Sequence, residues 1–516
     1  MAKVPSDKLY RFIHALTPAE KRYFRLFVRG KAERSSKYLR LFDAMDAQQK
    51  FDEEALKFLV YEGTPVEGKK YSELKAYLYD TLLKSLQAFD EQQAVEYRLN
   101  NLLEGVSVLF KRGLYDDCRD LLHKAVKTAV QYECFTHQLE IIRWEKQLAY
   151  TQMDVDFLHR QLEKLEFEEN RTLEKLQNLS VYRQAFFQVY TTIKREAQYR
   201  GDDRLARLQT LVNREVFSDP DKALSHKARV LYYRTLNLYH YTALDYEQFY
   251  LSGQNLIKLI ESQPHFLKEN ISDYIAALSN LILSCGLLQR YDEVRICLDK
   301  LQMLKPITED DRRKIHRQYY TNSFALNTFT GNFQEARREM ERCQDEALHF
   351  NPHDYETASF FFQYACICFG CDDFDKALDY LNQWLGQPRT VEREDLQSVA
   401  RMLSLLIHFE MGNWILLESL MRSATRFLQK KNRLFDLERR FIHYLSDYMR
   451  QSAAREKRAI FEKMRVALQE VSQTPETQAL LQTFDFVAWI DAKIQGSTFA
   501  IEVRRKWQRT ITSDQG

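Results

Sequence analysis

Gly63-Thr64-Pro65-Val66-Glu67-Gly68-Lys69 has the spacing of a phosphate-cradling loop, Gly-x4-Gly-Lys. In such a loop backbone N–H groups wrap the phosphates, the lysine reaches the outer ones, and a following Ser or Thr holds magnesium. Lys70 stands where that hydroxyl belongs, and the loop should follow a buried parallel strand that no stretch of the chain supplies. It reads as a connection between helices. Cys366, Cys368 and Cys371 invite a metal. On a helix the first two point about 200° apart, and no second cysteine pair lies at zinc-site spacing, although His349 and His353 precede. Small thiols filling a crowded helix interface account for them. Glu346 and His349 form a single Glu-x-x-His, whereas a carboxylate-bridged di-iron site needs two such pairs and two further Glu. His-Glu-x-x-His, Gly-x-Ser-x-Gly and Gly-x-Gly-x-x-Gly do not occur. Neither cofactor nor metal nor enzymatic activity is expected.

Two residue sets point instead to binding. Tyr232, Tyr233, Tyr239, Tyr241, Tyr246 and Tyr250 form the richest aromatic run, suited to interhelix packing or to a peptide-binding stripe. The first forty residues hold eleven Lys and Arg against Asp7, Glu20 and Glu33. Lys69, Lys70 and Lys75 with Tyr71 could then sit on a DNA recognition helix, although Glu67 and Glu73 flank them.

The elements that must position these residues are helices. Gly (14) and Pro (9) are scarce among 516 residues, and straight-chain residues dominate. A net charge of +2 gives the whole chain no bias toward nucleic acid or membrane. Eight cysteines without an apolar leader read as reduced thiols in the cytoplasm, and no apolar run is long enough to span a bilayer.

Residues 1–92 read as a basic module of five helices. Thr17-Pro18-Ala19-Glu20 supplies an N-cap, a proline at the first helical position and a capping-box glutamate. From about residue 95 a period appears. Aromatic or polar anchors Tyr115, Phe157, Asp203, Tyr246, Tyr291, Phe333, Phe374 and Trp414 follow one another at spacings of 42, 46, 43, 45, 42, 41 and 40. Three residues after each, where two helices must approach closely, stand Cys118, Arg160, Ala206, Phe249, Val294, Ala336, Ala377 and Leu417. Gly113, Gly201, Gly331 and Gly412 sit two before their anchors, where a left-handed helix C-terminus needs them. Pro220, Pro264, Pro306, Pro352 and Pro388 fall 17, 18, 15, 19 and 14 residues after theirs, where each second helix should stop. The pattern predicts about eight hairpins of two 16–18-residue helices. A closing pair follows, a helix over 454–471 and another over 476–495, with Arg504-Arg505-Lys506 as a solvated end.

The turn Gly331-Asn332-Phe333-Gln334-Glu335-Ala336 resembles the tetratricopeptide repeat, with units in the low forties rather than about 34 residues. Over nearly its full length the chain also resembles an uncharacterised family of bacterial helical-repeat proteins. Glu20-Lys21-Arg22-Tyr23-Phe24, Leu41-Phe42-Asp43-Ala44, Tyr77-Leu78-Tyr79, Leu82-Leu83-Lys84-Ser85-Leu86, Phe484-Asp485 and Trp489 carry that likeness, which brings no known activity. The tetratricopeptide resemblance implies that the first helix of each pair lines a concave face. Its inward positions would be Arg195, Arg234, Tyr241, Phe362 and Phe369, Arg for charged forks and the aromatics for apolar anchors. The Lys and Asn pattern that grips C-terminal carboxylates in chaperone-binding members is absent.

The expectation is an all-α chain: the N-terminal module (1–92), an α-solenoid of tetratricopeptide-like hairpins (93–450) and a C-terminal helical cap (451–516). Its function would be a cytoplasmic, non-enzymatic scaffold for an extended peptide or protein partner, without membrane contact. The alternative is a transcription regulator whose N-terminal module binds DNA and whose array senses a ligand or dimerises.

Overall fold

The structure, a computed structural model, describes residues 6–29, 37–90, 94–153, 155–196, 202–350, 357–387, 396–430, 436–471 and 483–513. These form 25 α-helices and no strand, so the chain is all-α. No helix among them is long and apolar enough to cross a membrane. The chain divides into two compact units, residues 1–288 with 305–314, and residues 289–304 with 315–516.

The first unit opens with α1 (Lys8–His14), α2 (Pro18–Arg29), α3 (Lys37–Ala47), α4 (Glu53–Tyr61) and α5 (Gly68–Asp90). They enclose their own core around Phe24, Phe42, Met45, Leu78 and Leu82. The capping box at α2 is complete. The Thr17 N–H donates to Glu20 Oε2 at 2.6 Å, and the Glu20 N–H donates to Thr17 Oγ1 at 3.2 Å. Next come α6 (Val95–Phe110), α7 (Tyr115–Gln131), α8 (Phe135–Thr151), α9 (Val155–Glu196) and α10 (Asp202–Val212). The unit is completed by α11 (His226–Thr242), α12 (Tyr246–Glu261), α13 (Pro264–Glu269), α14 (Ile271–Leu287) and the first six residues of α16 (Glu309–Phe329).

The second unit holds α15 (Tyr291–Met303), the rest of α16 (Glu309–Phe329), α17 (Phe333–Ala347), α18 (Phe361–Gly370), α19 (Phe374–Leu385) and α20 (Leu396–Glu410). It continues through α21 (Trp414–Lys430), α22 (Asp436–Arg450), α23 (Ala454–Val471), α24 (Phe486–Gln495) and α25 (Phe499–Ser513). One hydrophobic core runs through it from Tyr320 to Val503.

Six of the eight anchors are the first residue of a helix: Tyr115, Tyr246, Tyr291, Phe333, Phe374 and Trp414. Two residues before each, the backbone is left-handed, at Gly113, Leu244, Gln289, Gly331, Asp372 and Gly412. Glu133 and Met153 repeat the geometry ahead of α8 and α9. In most of these turns the residue after the left-handed one donates its N–H back five positions, as Asn332 does to Asn327 O at 2.8 Å and Asp373 to Cys368 O at 3.0 Å. That bond satisfies a helix-terminal carbonyl that would otherwise lack a partner. Gly201 lies outside the described residues.

At all six of these anchors the residue three further on is buried, namely Cys118, Phe249, Val294, Ala336, Ala377 and Leu417. Arg160 and Ala206, at the other two, are exposed. The reason is α9, which runs for 42 residues, about 63 Å at 1.5 Å per residue. The period requires a turn inside it, but 155–196 contains neither Gly nor Pro, so one continuous helix replaces two. The expected helix over 476–495 is also corrected. Residues 472–482 lie outside the described set, Phe484 is not helical, and Asp485 caps α24 by accepting the Ala488 N–H at 3.0 Å.

Candidate binding cavity

The residues with chemical spacing are spent on architecture. Gly63, left-handed at φ 76°, ends α4 and donates its N–H to Phe58 O at 3.0 Å. Lys69 and Lys70 are exposed in the first turn of α5, in a loop that joins two helices. Cys366 and Cys368 are buried, and Cys371 Sγ donates to Phe333 O at 3.4 Å. Burial pushes the Cys368 thiol up to about 12, so it stays protonated at neutral pH. Glu346 lies 3.5 Å from His316 Nε2, while His349 is exposed. Among the described residues no three metal-ligating side chains converge.

The basic N-terminal residues are likewise paired. Lys21 contacts Asp46 at 2.7 Å, and Arg25 contacts both Asp43 and Asp46 at 3.0 Å. On α5, Tyr71 is 1% exposed, and Lys75 sits 3.0 Å from Glu53 with its ammonium over the Tyr71 ring. Two of the four residues expected to face DNA therefore belong to the interior of the five-helix module.

The five residues expected on a concave face separate. Phe362 and Phe369 are core residues. Phe362 packs on Trp384 at 5.5 Å, and Phe369 lies among Phe374, Phe484 and Phe499. Their helix, α18, is apolar on nearly every side, and a strictly positional count has no means of registering that. Tyr241 is 42% exposed, its ring 5.2 Å from Phe249. Arg195 belongs to α9, and its side chain lies outside the described residues. Arg234 donates to Asp273 Oδ1 at 2.6 Å, with its guanidinium 4.6 Å from the Phe186 ring centre.

Arg234 also lines a cavity of about 480 Å³ in the first unit, a volume in the range of small-ligand sites. The cavity forms because segments far apart in the chain are tied together. The Glu133 carboxylate accepts the first two N–H groups of α11, His226 at 2.7 Å and Lys227 at 2.9 Å. The Glu269 carboxylate accepts the first N–H of α6, Val95, at 3.3 Å. Each places a negative charge on the positive end of a helix. Tyr132 meets Phe266 edge-on at 6.1 Å, and Phe266 stacks on His226 at 4.5 Å.

Most of the lining is apolar, including Val95, Leu179, Val230, Leu231, Ile260 and Leu267. Its charges are sorted by side. Arg183, Lys227 and Arg234 come from α9 and α11, whereas Glu96, Glu269 and Asp273 come from α6, α13 and α14. His226 is 9% exposed and its Nδ1 is closed off without a hydrogen-bond partner among the described residues. Burial lowers its pKa, so the ring is neutral at physiological pH. Apart from Arg234, none of these cavity residues follows from the repeat count. The only hint is compositional, in that Arg183 interrupts a largely apolar helical stretch.

No known family model matches the chain, and no curated protein matches it either.

Proposed function

We propose that the chain is a non-enzymatic cytoplasmic scaffold: an α-solenoid of tetratricopeptide-like hairpins whose concave face holds an extended peptide or protein segment. The observation that carries this reading is a recurrent set of polar contacts separated by about one period. Arg234 bonds to Asp273 across 39 residues, Ser272 to Asp311 across 39, and Asn280 to Asn237 across 43. In the second unit Arg337 bonds to Asp373 across 36, Gln344 to Tyr380 across 36 and Gln363 to Thr321 across 42. Contacts separated by about one period are what stacked, similar layers produce, because each repeat touches its neighbour at equivalent positions.

In that stack Phe187, Tyr190 and Tyr241 stand on successive first helices, α9 and α11, and all three are at least 40% exposed. Aromatic side chains in such positions are the usual anchors of a recognised segment. The pairing of Lys75 and the burial of Tyr71 favour the five-helix module as a cap on the array over a DNA reader.

The test is affinity capture from the native host with the full chain and with Phe187, Tyr190 and Tyr241 all changed to Ala. The variant should recover at least tenfold less of the specific partner, a loss of about 1.4 kcal/mol, with an unchanged melting temperature. Equal recovery removes this face from the function.

A further inference from the structure

The charge sorting inside the first-unit cavity has a chemical meaning of its own, independent of the scaffold reading. Within the lining, two acids are already committed, Glu269 to the Val95 amide and Asp273 to Arg234. Lys227 donates to the Glu133 carbonyl at 3.3 Å. That leaves one cation and one anion, Arg183 on α9 and Glu96 on α6. Neither has an ion-pair or hydrogen-bond partner among the described residues, and both are solvent-accessible. The same cavity is lined by apolar side chains and by the stacked His226 and Phe266.

We propose that this cavity is a binding site for a small zwitterion with an apolar body, an amino acid or short peptide with both ends free. The ligand carboxylate meets the Arg183 guanidinium, whose planar fork matches it. The ligand ammonium meets the Glu96 carboxylate, and its side chains enter the apolar lining of Val95, Leu179 and Val230. A ligand carrying both charges engages Arg183 and Glu96 together, whereas a single-signed ligand engages only one of them. His226, about nine-tenths buried and stacked on Phe266, lines the cavity without adding a charge.

The full chain is titrated, by calorimetry and thermal shift, with a mixed library of free dipeptides of apolar residues. The same library is then used acetylated at the amino end, amidated at the carboxyl end, or both. The free library should bind and raise the melting temperature, and either block should weaken binding at least tenfold. Arg183→Ala should bind free and amidated peptides equally, and Glu96→Gln should bind free and acetylated peptides equally. Both changes are at exposed positions and should leave the unliganded melting temperature in place. No binding by any free dipeptide, or equal binding by the doubly blocked library, overturns the proposal. Loss of partner capture by the aromatic variant above would leave this result untouched, so the two readings fail separately.

Discussion

Gly331 and Gly412 share a backbone conformation, φ 72° and 71°, but not an environment. A Cβ on Gly331 would sit 2.8 Å from the Arg504 backbone nitrogen and 3.0 Å from the Ala500 carbonyl oxygen, both in α25. On Gly412 the nearest atom would be Trp414 Nε1 at 3.8 Å, and on Gly113 nothing lies within 4 Å. Changing Gly113 or Gly412 to Ala should therefore cost about 1–2 kcal/mol, the penalty of a left-handed L-residue. Gly331→Ala should cost a further ~1–3 kcal/mol, because two backbones must move apart. Denaturant unfolding of the three variants measures the order, and equal losses would show that α25 does not press on the turn. The same comparison shows what single residues disclose. Where the turn uses Gly it is readable, since few other residues tolerate positive φ. Where it uses Glu133, Met153, Leu244, Gln289 or Asp372, the strain is imposed by the packing of the flanking helices and leaves no local mark.

Elements were most legible where a local rule sets their ends. The helix over 454–471 has the boundaries its periodicity predicts, and α12 and α15 stop three residues before Pro264 and Pro306. The continuous α9 was missed because a period counted from anchors cannot see that no breaker interrupts it. The start of α11 is half legible: its local cap is Ser225, which accepts the Ala228 N–H at 3.1 Å, but the acceptor of its first two N–H groups is Glu133, 93 residues before His226. Glu133→Ala removes an acceptor from two N–H groups and a negative charge from the helix start. The expected loss is ~1–2 kcal/mol, with faster hydrogen exchange confined to the first turn of α11. As a control, Glu140→Ala removes only an exposed contact to Arg143 at 3.5 Å and should be near neutral. Matching effects from the two substitutions would mean that the Glu133 clamp contributes nothing.

At the scale of the whole chain, repeats that touch only their neighbours would leave each unit open, and neither unit is. In the first, the Glu133 and Glu269 clamps tie α11 and α6 to distant turns around the cavity. In the second, α25 returns to the turn at Gly331, where Arg504 donates to the Gly331 carbonyl at 3.1 Å. The residues expected to form a solvated end are exposed, and two of them also make contacts outside α25, Arg504 to Gly331 and Lys506 to Asp485 at 2.6 Å. Beneath them Phe499 stacks on Phe484 at 5.0 Å and touches Phe333 and Phe369 at 5.4 Å. The contacts of α25 to Gly331, Phe333 and Phe369 join residues more than a hundred positions apart, beyond the reach of any periodicity. Deleting residues 497–516 would expose three aromatic side chains that are now at most 5% exposed, Phe333, Phe369 and Phe484, each worth about 1.5–3 kcal/mol when buried. Hydrogen exchange should then lose protection across α17, α18 and α24, while α1–α5, enclosing their own core, should keep theirs. Unchanged protection in α17 and α18 would show that the second unit is stable without its last helix.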